Sequence, residues 1–237
     1  MSIPYFFKED IDPREQEFQL DEDTSKHVVQ VLRMKVGEHL QLTNGKGNLI
    51  TCEITDDHKK HCSVKIIDSV FRERSAHHNS IAISLIKNNS RLEWFLEKAT
   101  ELGISEIIPL VCHRTEKQHF RIDRMKNILI SAMLQSQQSW LPVLHEPTKF
   151  KEVCERSENS NQQKFIAHCI GSEKRNLSDL INDSLTKRII LIGPEGDFTN
   201  DEIELAVKHH FIPVALGETR LRTETAGIVA GTLLSLV

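Results

Sequence analysis

The segment from Arg188 to Ala226 constrains the fold more than any other stretch, because it spells a complete strand, loop, helix, strand, loop unit. Arg188-Ile-Ile-Leu-Ile-Gly-Pro-Glu-Gly-Asp-Phe198 starts as a short β-branched apolar run and ends at glycines. This predicts a buried strand over 189–192 that enters a loop where a ligand can approach the backbone. Thr199-Asn-Asp-Glu202 is a capping-box pattern ahead of Ile203, Ala206 and Val207, so a helix is expected to start near Asn200. After His210, Ile212-Pro-Val-Ala-Leu216 reads as a second strand that ends at Gly217 and opens onto Arg220, Leu221, Arg222, Thr223 and Glu224. This order belongs to an α/β sheet whose ligands sit beyond the carboxyl ends of its strands.

The same alternation extends back to Ser80. Ile81-Ala-Ile-Ser-Leu-Ile86, 107–111 and 165–170 read as strands. Leu92, Phe95, Leu96, Ala99 and Leu102 form a helical stripe ending at Gly103, and Met125, Ile128, Leu129, Ala132 and Met133 form another. Strands alternating with helices imply a mainly parallel sheet covered on both faces. The final helix carries Ala226, Ile228, Val229, Ala230, Leu233, Leu234, Leu236 and Val237 with almost no polar face, which predicts burial on most sides.

The first 71 residues differ. Leu40-x-Leu42 and Ile50-x-Cys52-x-Ile54 alternate with period two around Asn44-Gly-Lys-Gly47, a hairpin signal. One short helix is expected among these strands, with Val28, Val31 and Leu32 on one face. The reading is a small β-barrel over 1–71, a polar connector over 72–79, and an α/β domain over 80–237.

Loop chemistry narrows the ligand. The glycines of Gly193-Pro-Glu-Gly196 are spaced G-x-x-G, which fails the dinucleotide fingerprint, and Asp197 follows Gly196 where a phosphate-binding P-loop needs Lys-Ser/Thr. Glu195 and Asp197 would repel a polyphosphate, so a neutral or cationic ligand fits better. Five cysteines without C-x-x-C spacing read as free thiols of a reducing cytoplasm. The pairs Cys112-His113 and His168-Cys169 are neighbours that do not readily share one ion, so no metal site is expected. The N-terminus has no signal-peptide pattern, and there is no apolar run of membrane-spanning length. A net charge of −4 weighs against broad nucleic-acid affinity. It leaves room for local basic surfaces at Arg72 and Arg74, at Lys87 and Arg91, and at Arg114, Lys117, Arg121 and Arg124.

Gly-Pro-Glu-Gly-Asp-Phe198 together with Leu216-Gly-Glu-Thr-Arg-Leu-Arg-Thr-Glu-Thr-Ala226 resembles the ribosomal RNA small subunit methyltransferase E family of the SPOUT class. The resemblance continues in His27-Val-Val-Gln-Val-Leu-Arg-Met-Lys-Val-Gly37 and Glu97-Lys-Ala-Thr-Glu-Leu-Gly-Ile-Ser-Glu-Ile-Ile-Pro109. Gln135-Ser-Gln-Gln-Ser-Trp-Leu-Pro142 matches in part, because many relatives carry Arg where this chain has Gln138 or a neighbour. The resemblance implies a PUA-like RNA-binding barrel followed by a SPOUT domain with a deep C-terminal trefoil knot, acting as a cytoplasmic homodimer. It implies transfer of a methyl group from S-adenosylmethionine to N3 of a uridine in 16S rRNA of the small ribosomal subunit. Rival readings are a SPOUT enzyme acting on ribose 2′-oxygen and a non-catalytic rRNA-binding assembly factor.

Carried onto this chain, the resemblance places the cofactor against Leu191, Ile192, Gly193, Pro194, Gly196, Leu216, Gly217, Leu221 and Arg222. Arg222 is the first candidate for the cation that stabilises the uridine anion, with Arg220 second. Glu224 would accept a proton, orient Arg222 or cap its helix. Arg33, Lys35, Lys87, Arg91 and Arg114 are candidate RNA contacts. Asp197, where relatives usually carry glycine, is read as structural.

Overall fold

The computed structural model describes residues 3–116, 120–157, 161–171 and 174–236, so Lys117 and Val237 lie outside the described residues. The chain forms two compact units, one of Met1–Arg74 with Met133–Leu141 and one of Ser75–Ala132 with Pro142–Val237.

The first unit contains β1 (Tyr5–Phe7), β2 (Glu17–Gln19), α1 (Glu22–Lys26), β3 (His39–Thr43), β4 (Asn48–Asp56) and β5 (Ser63–Phe71). The strands form a mixed five-stranded sheet in the order β1-β3-β4-β5-β2, in which β1 runs parallel to β3 and the other pairs are antiparallel. The period-two pattern does what it should: Leu40, Leu42, Ile50, Cys52 and Ile54 all turn into the core and are fully buried. The turn between β3 and β4 is held by Asn44, whose Oδ1 accepts from the Lys46 and Asn48 amides at 2.9 and 3.4 Å. Gly47 has φ of +92°, and a Cβ there would lie 2.6 Å from the Trp140 ring, so glycine is required on both counts.

The short helix departs from expectation. After α1, capped by Asp21 on the Thr24 amide at 2.9 Å, residues His27–Val31 widen into a π-turn in which the Leu32 amide donates to the His27 carbonyl. The added residue per turn breaks the expected face. Val28 is fully buried, whereas Val31 and Leu32 are 65% and 42% exposed.

The second unit begins with β6 (His78–Ser84), α2 (Asn89–Glu101), β7 (Glu106–Val111) and all of α3 (Ile122–Gln135) except its last three residues, which belong to the first unit. It continues through β8 (Val143–Leu144), β9 (Thr148–Lys149), α4 (Phe150–Arg156), β10 (Gln163–Ala167) and β11 (Arg175–Asn176). It ends with β12 (Lys187–Ile192), α5 (Asn200–Lys208), β13 (Ile212–Ala215) and α6 (Thr223–Ser235). Every pairing in this sheet is parallel, and the order is β11-β13-β10-β12-β6-β7-β8, with β9 also on β7. The central strands carry unbroken buried runs, Ile81-Ala82-Ile83 and Ile189-Ile190-Leu191-Ile192, as a sheet covered on both faces demands.

The helices follow their sequence signals. The α5 capping box forms in full, and α2 buries Leu92, Phe95, Leu96 and Ala99 before Gly103 ends it at φ +75°. Two boundaries differ. The strand expected over 165–170 stops at Ala167, because the Cys169 amide leaves the ladder to bond the Asp197 carboxylate at 2.8 Å. The short α4, which buries Phe150, Val153 and Cys154, gave no readable periodicity over its seven residues.

The last helix is buried along one side only. Gly227, Ala230, Gly231 and Leu234 are buried, whereas Ile228, Val229 and Leu233 remain half-buried and Leu236 is exposed. Small residues let α6 lie close on its neighbours: a Cβ at Gly227 would lie 2.6 Å from the Phe95 ring and 2.9 Å from Ile83. Its final turn is fixed by two donors to the Leu234 carbonyl, Asn79 Nδ2 and Nη1 of the fully buried Arg188, both at 2.9 Å.

Candidate active site

Three strands end side by side in the sheet, β10 at Ala167, β12 at Ile192 and β13 at Ala215, and the loops that follow them enclose a cavity of about 620 Å³. Its position beyond the carboxyl ends of parallel strands is where ligands bind in open α/β sheets. One wall is Ala167 to Cys169 with Gly171 and Lys174, a second is Ile192 to Glu195 with Asp197, and the third runs from Val214 to Thr223 with Ala226.

The Gly193-Pro-Glu-Gly196 loop is anchored on every side. Thr223 Oγ1, at the first turn of α6, donates to the buried Gly193 carbonyl at 3.0 Å. Phe198 packs beneath, so a Cβ at Gly193 would lie 3.1 Å from its ring. Glu195 accepts from the Lys87 amide at 3.1 Å, and Arg114 donates from Nη1 to the Gly196 carbonyl. Asp197 adopts φ of +63°, and its two oxygens accept from the Cys169 and Phe198 amides at 2.8 Å each. A left-handed backbone favours glycine at this position, and the two amide bonds hold an Asp there instead.

The third wall is more open. Gly217 has φ of +135°, and a Cβ there would meet nothing within 4 Å, leaving bare backbone facing free space. Arg220 and Arg222 are exposed, line the cavity, and their side chains make no hydrogen bond or ion pair among the described residues. Arg222 is the N-cap of α6, where the free helical amides concentrate positive potential.

Of the expected cofactor contacts, Ile192, Gly193, Pro194, Leu216, Gly217, Leu221 and Arg222 line this cavity, whereas Leu191 is buried in the sheet and Gly196 faces Arg114. Glu224 does not line it. Its buried carboxylate lies 3.6 Å from Arg91 Nε, and its Oε2 has no hydrogen-bond partner. The cation beside it is Arg91. Lys87 is exposed and paired with Glu116 at 3.1 Å. Arg33, at φ +57°, is exposed on the first unit, where Lys35 pairs with Asp57 at 3.1 Å.

Sequence reading missed His168, Cys169, Lys174, Glu218 and Thr219 in the lining. The missing information was sheet order: β10 adjoins both β12 and β13, and no local pattern reveals that. Among the described residues, no cluster of His, Cys, Asp and Glu fits a metal ion, and no helix is long and apolar enough to cross a membrane. Burial pushes the Cys52 and Cys154 thiols up to about 12, and Cys169 is the one exposed thiol.

Residues 73–235 match the RNA methyltransferase domain family, and residues 20–67 match the RNA methyltransferase PUA domain family. The chain is 30% identical, over 98% of its length and 92% of the relative's, to ribosomal RNA small subunit methyltransferase E of Buchnera aphidicola subsp. Acyrthosiphon pisum. The chain belongs to the ribosomal RNA small subunit methyltransferase E family. Its similarity to solved methyltransferase E structures is close. The enzyme of Neisseria gonorrhoeae, bound to S-adenosyl methionine, superposes with a TM-score of 0.89 at 26% identity, covering 99% of this chain and 98% of that one. A probable rRNA methyltransferase of Porphyromonas gingivalis gives 0.88 at 33% identity over 97% and 95%.

The residues present fit the cofactor of that family. S-Adenosylmethionine is a sulfonium cation with a flat base, suited to a cavity with bare glycine backbone, acidic loop residues and an unsatisfied polar ring at His168. Among the described residues, neither imidazole nitrogen of His168 has a hydrogen-bond partner, and both are shielded from solvent.

Proposed function

We propose that this chain methylates N3 of a uridine in 16S rRNA of the small ribosomal subunit, with S-adenosylmethionine as donor. The observation that carries this is the coincidence of the cavity with the two family motifs, on a fold whose relatives are named for rRNA methylation. The donor, when bound, supplies an electrophilic methyl group on its sulfonium. Ile192, Gly193, Pro194, Leu216, Gly217 and Leu221 would hold it, mainly through backbone groups.

Uridine N3 becomes nucleophilic only as its imide proton leaves, and the charge then spreads onto the two flanking carbonyl oxygens. Arg222, exposed at the cavity and free of internal partners, would donate to one of these oxygens as the charge grows. Arg220 sits two residues away as a second cation. Glu224 would act through Arg91, holding that guanidinium for the RNA backbone, and Arg114 would serve the Gly196 loop. Arg33, Lys35 and Lys87 would add phosphate contacts that an overall acidic chain concentrates locally.

The reading includes a PUA-like RNA-binding domain over 1–71, a connector over 72–79 and a catalytic domain over 80–237, with its C-terminal segment threaded as a trefoil knot. It also includes a homodimer in the cytoplasm. The half-buried apolar residues Ile228, Val229 and Leu233 of α6 support a second copy as their cover.

The test is transfer of labelled methyl from S-adenosylmethionine to small ribosomal subunits lacking the modification, with the product nucleoside identified by mass spectrometry. The expected product is 3-methyluridine. A 2′-O-methylated nucleoside, or no transfer by a protein that binds the donor, would overturn the assignment.

A further inference from the structure

Most polar side chains around the cavity already have work. Thr223 bonds the Gly193 carbonyl, both oxygens of Asp197 accept amides, Glu195 accepts from Lys87, and Lys174 Nζ donates to the Ile170 carbonyl at 2.8 Å. Glu218, Thr219, Arg220 and Arg222 are exposed to solvent. Among the described residues, His168 alone combines a place in the lining with two shielded ring nitrogens that lack partners. The Ile170 carbonyl, which favours the charged ring and accepts from Lys174, is not in hydrogen-bond geometry with either ring nitrogen.

A buried polar atom without a partner is destabilising, and folds retain such atoms where a ligand completes them. We propose that His168 is the side chain that recognises the nucleoside portion of the methyl donor, through a hydrogen bond from its imidazole to a neutral polar edge of the ribose or base. This rests on the reading of the cavity as the S-adenosylmethionine site. Burial, with Lys174 nearby, pushes the His168 ring below the usual histidine range, outweighing the opposing pull of Asp197. The ring is therefore neutral near pH 7, with one N–H donor and one lone pair. A neutral ring suits a hydroxyl or a purine edge and adds no repulsion to the donor's sulfonium. The torsion about Cβ–Cγ of an aromatic ring is broad, so a modest turn presents either nitrogen to a seated ligand.

The chain's position 168 also explains how the donor can be read at all by a cavity built largely of backbone. Glycine loops fix shape and charge, whereas a side-chain donor and acceptor at the end of β10 distinguishes a nucleoside from other flat cations. His168 follows β10 and Arg222 follows β13, so recognition and charge stabilisation are divided between different loops.

The experiment is isothermal titration of wild type, His168→Leu and His168→Gln with S-adenosylhomocysteine and with 5′-methylthioadenosine, which lacks the amino-acid part, alongside melting without ligand. The expected result is a loss of about tenfold in affinity for both ligands in His168→Leu, with substantial recovery in His168→Gln. Without ligand, His168→Leu should melt at or above the wild-type temperature, since an unsatisfied polar ring has been removed. A loss for S-adenosylhomocysteine alone would move the contact to the amino-acid part and overturn the proposal. Unchanged affinity for both, or a lowered melting temperature with weak binding in both variants, would overturn it as well. Failure of wild type to bind either ligand would instead refute the cofactor reading on which it rests.

Discussion

Gly227 and Gly231 lie one turn apart on the buried side of α6, and the structure assigns opposite outcomes to the same substitution. At Gly227 an alanine Cβ would meet Phe95 Cε2 at 2.6 Å and Ile83 Cδ1 at 2.9 Å. Both neighbours are fully buried, so neither can swing aside. Overpacking of this kind costs about 1–3 kcal/mol, and the gain in helix propensity on replacing Gly returns only about 1 kcal/mol. The expected net effect is a destabilisation of up to roughly 2 kcal/mol, or up to about 8 °C in melting temperature for a chain of this size. At Gly231 the closest atoms are the methyls of Ile81 and Ile104 at 3.3 and 3.4 Å, a few tenths of an ångström tighter than comfortable. There the propensity gain and the burial of one methyl, about 0.8 kcal/mol, offset the strain, and Gly231→Ala should be neutral or stabilising by up to about 1 kcal/mol. Urea and thermal unfolding of both variants is the assay. Because α6 also carries Thr223 to the Gly193 carbonyl, Gly227→Ala should weaken donor binding while Gly231→Ala leaves it intact. Equal shifts in the two variants, or a larger loss at Gly231, would refute the packing argument.

Arg222→Ala should lower methyl transfer by about 10²–10³-fold while donor affinity measured by titration stays within a few-fold, the separation expected of transition-state charge stabilisation. Thr223→Val removes the donor to a buried carbonyl, and should destabilise by about 1–3 kcal/mol and loosen donor binding, read as paired melting and titration shifts. Arg114→Ala frees the Gly196 carbonyl and should weaken donor affinity by about threefold to tenfold without changing the methylated nucleoside. His168 has its protonation disfavoured in the folded state by burial and Lys174, with Asp197 opposing. The unfolded chain therefore binds a proton more readily as pH falls through about 6.5, and stability should decline in that direction with a slope that His168→Leu reduces, as pH-dependent melting would record.

Much of the second unit was legible because its signals are local. The capping box at Thr199, the glycine stop at 103 and the apolar strand runs each act within a few residues, and each formed where the sequence pointed. The π-turn at 27–31 was not legible, since adding one residue to a turn leaves the composition unchanged and only packing of Val28 against the sheet selects it. The same holds for the site. The two motif loops announce themselves through glycine, which only backbone geometry requires, and the family resemblance of those loops named Gly193, Gly217 and Arg222, which line the cavity.

What tertiary structure alone decided is which distant residues share the cavity and what each is free to do. The parallel order β13-β10-β12 brings His168 and Lys174 beside those loops, although about twenty to fifty residues of chain separate them from 193 and 217. Glu224 is buried with Arg91 beside it, and Arg114 donates to the Gly196 carbonyl. Local sequence fixes backbone conformation because its forces act between neighbours along the chain. The partner of a buried charge is set by strand order and helix placement, which arise from the summed burial of the whole sheet.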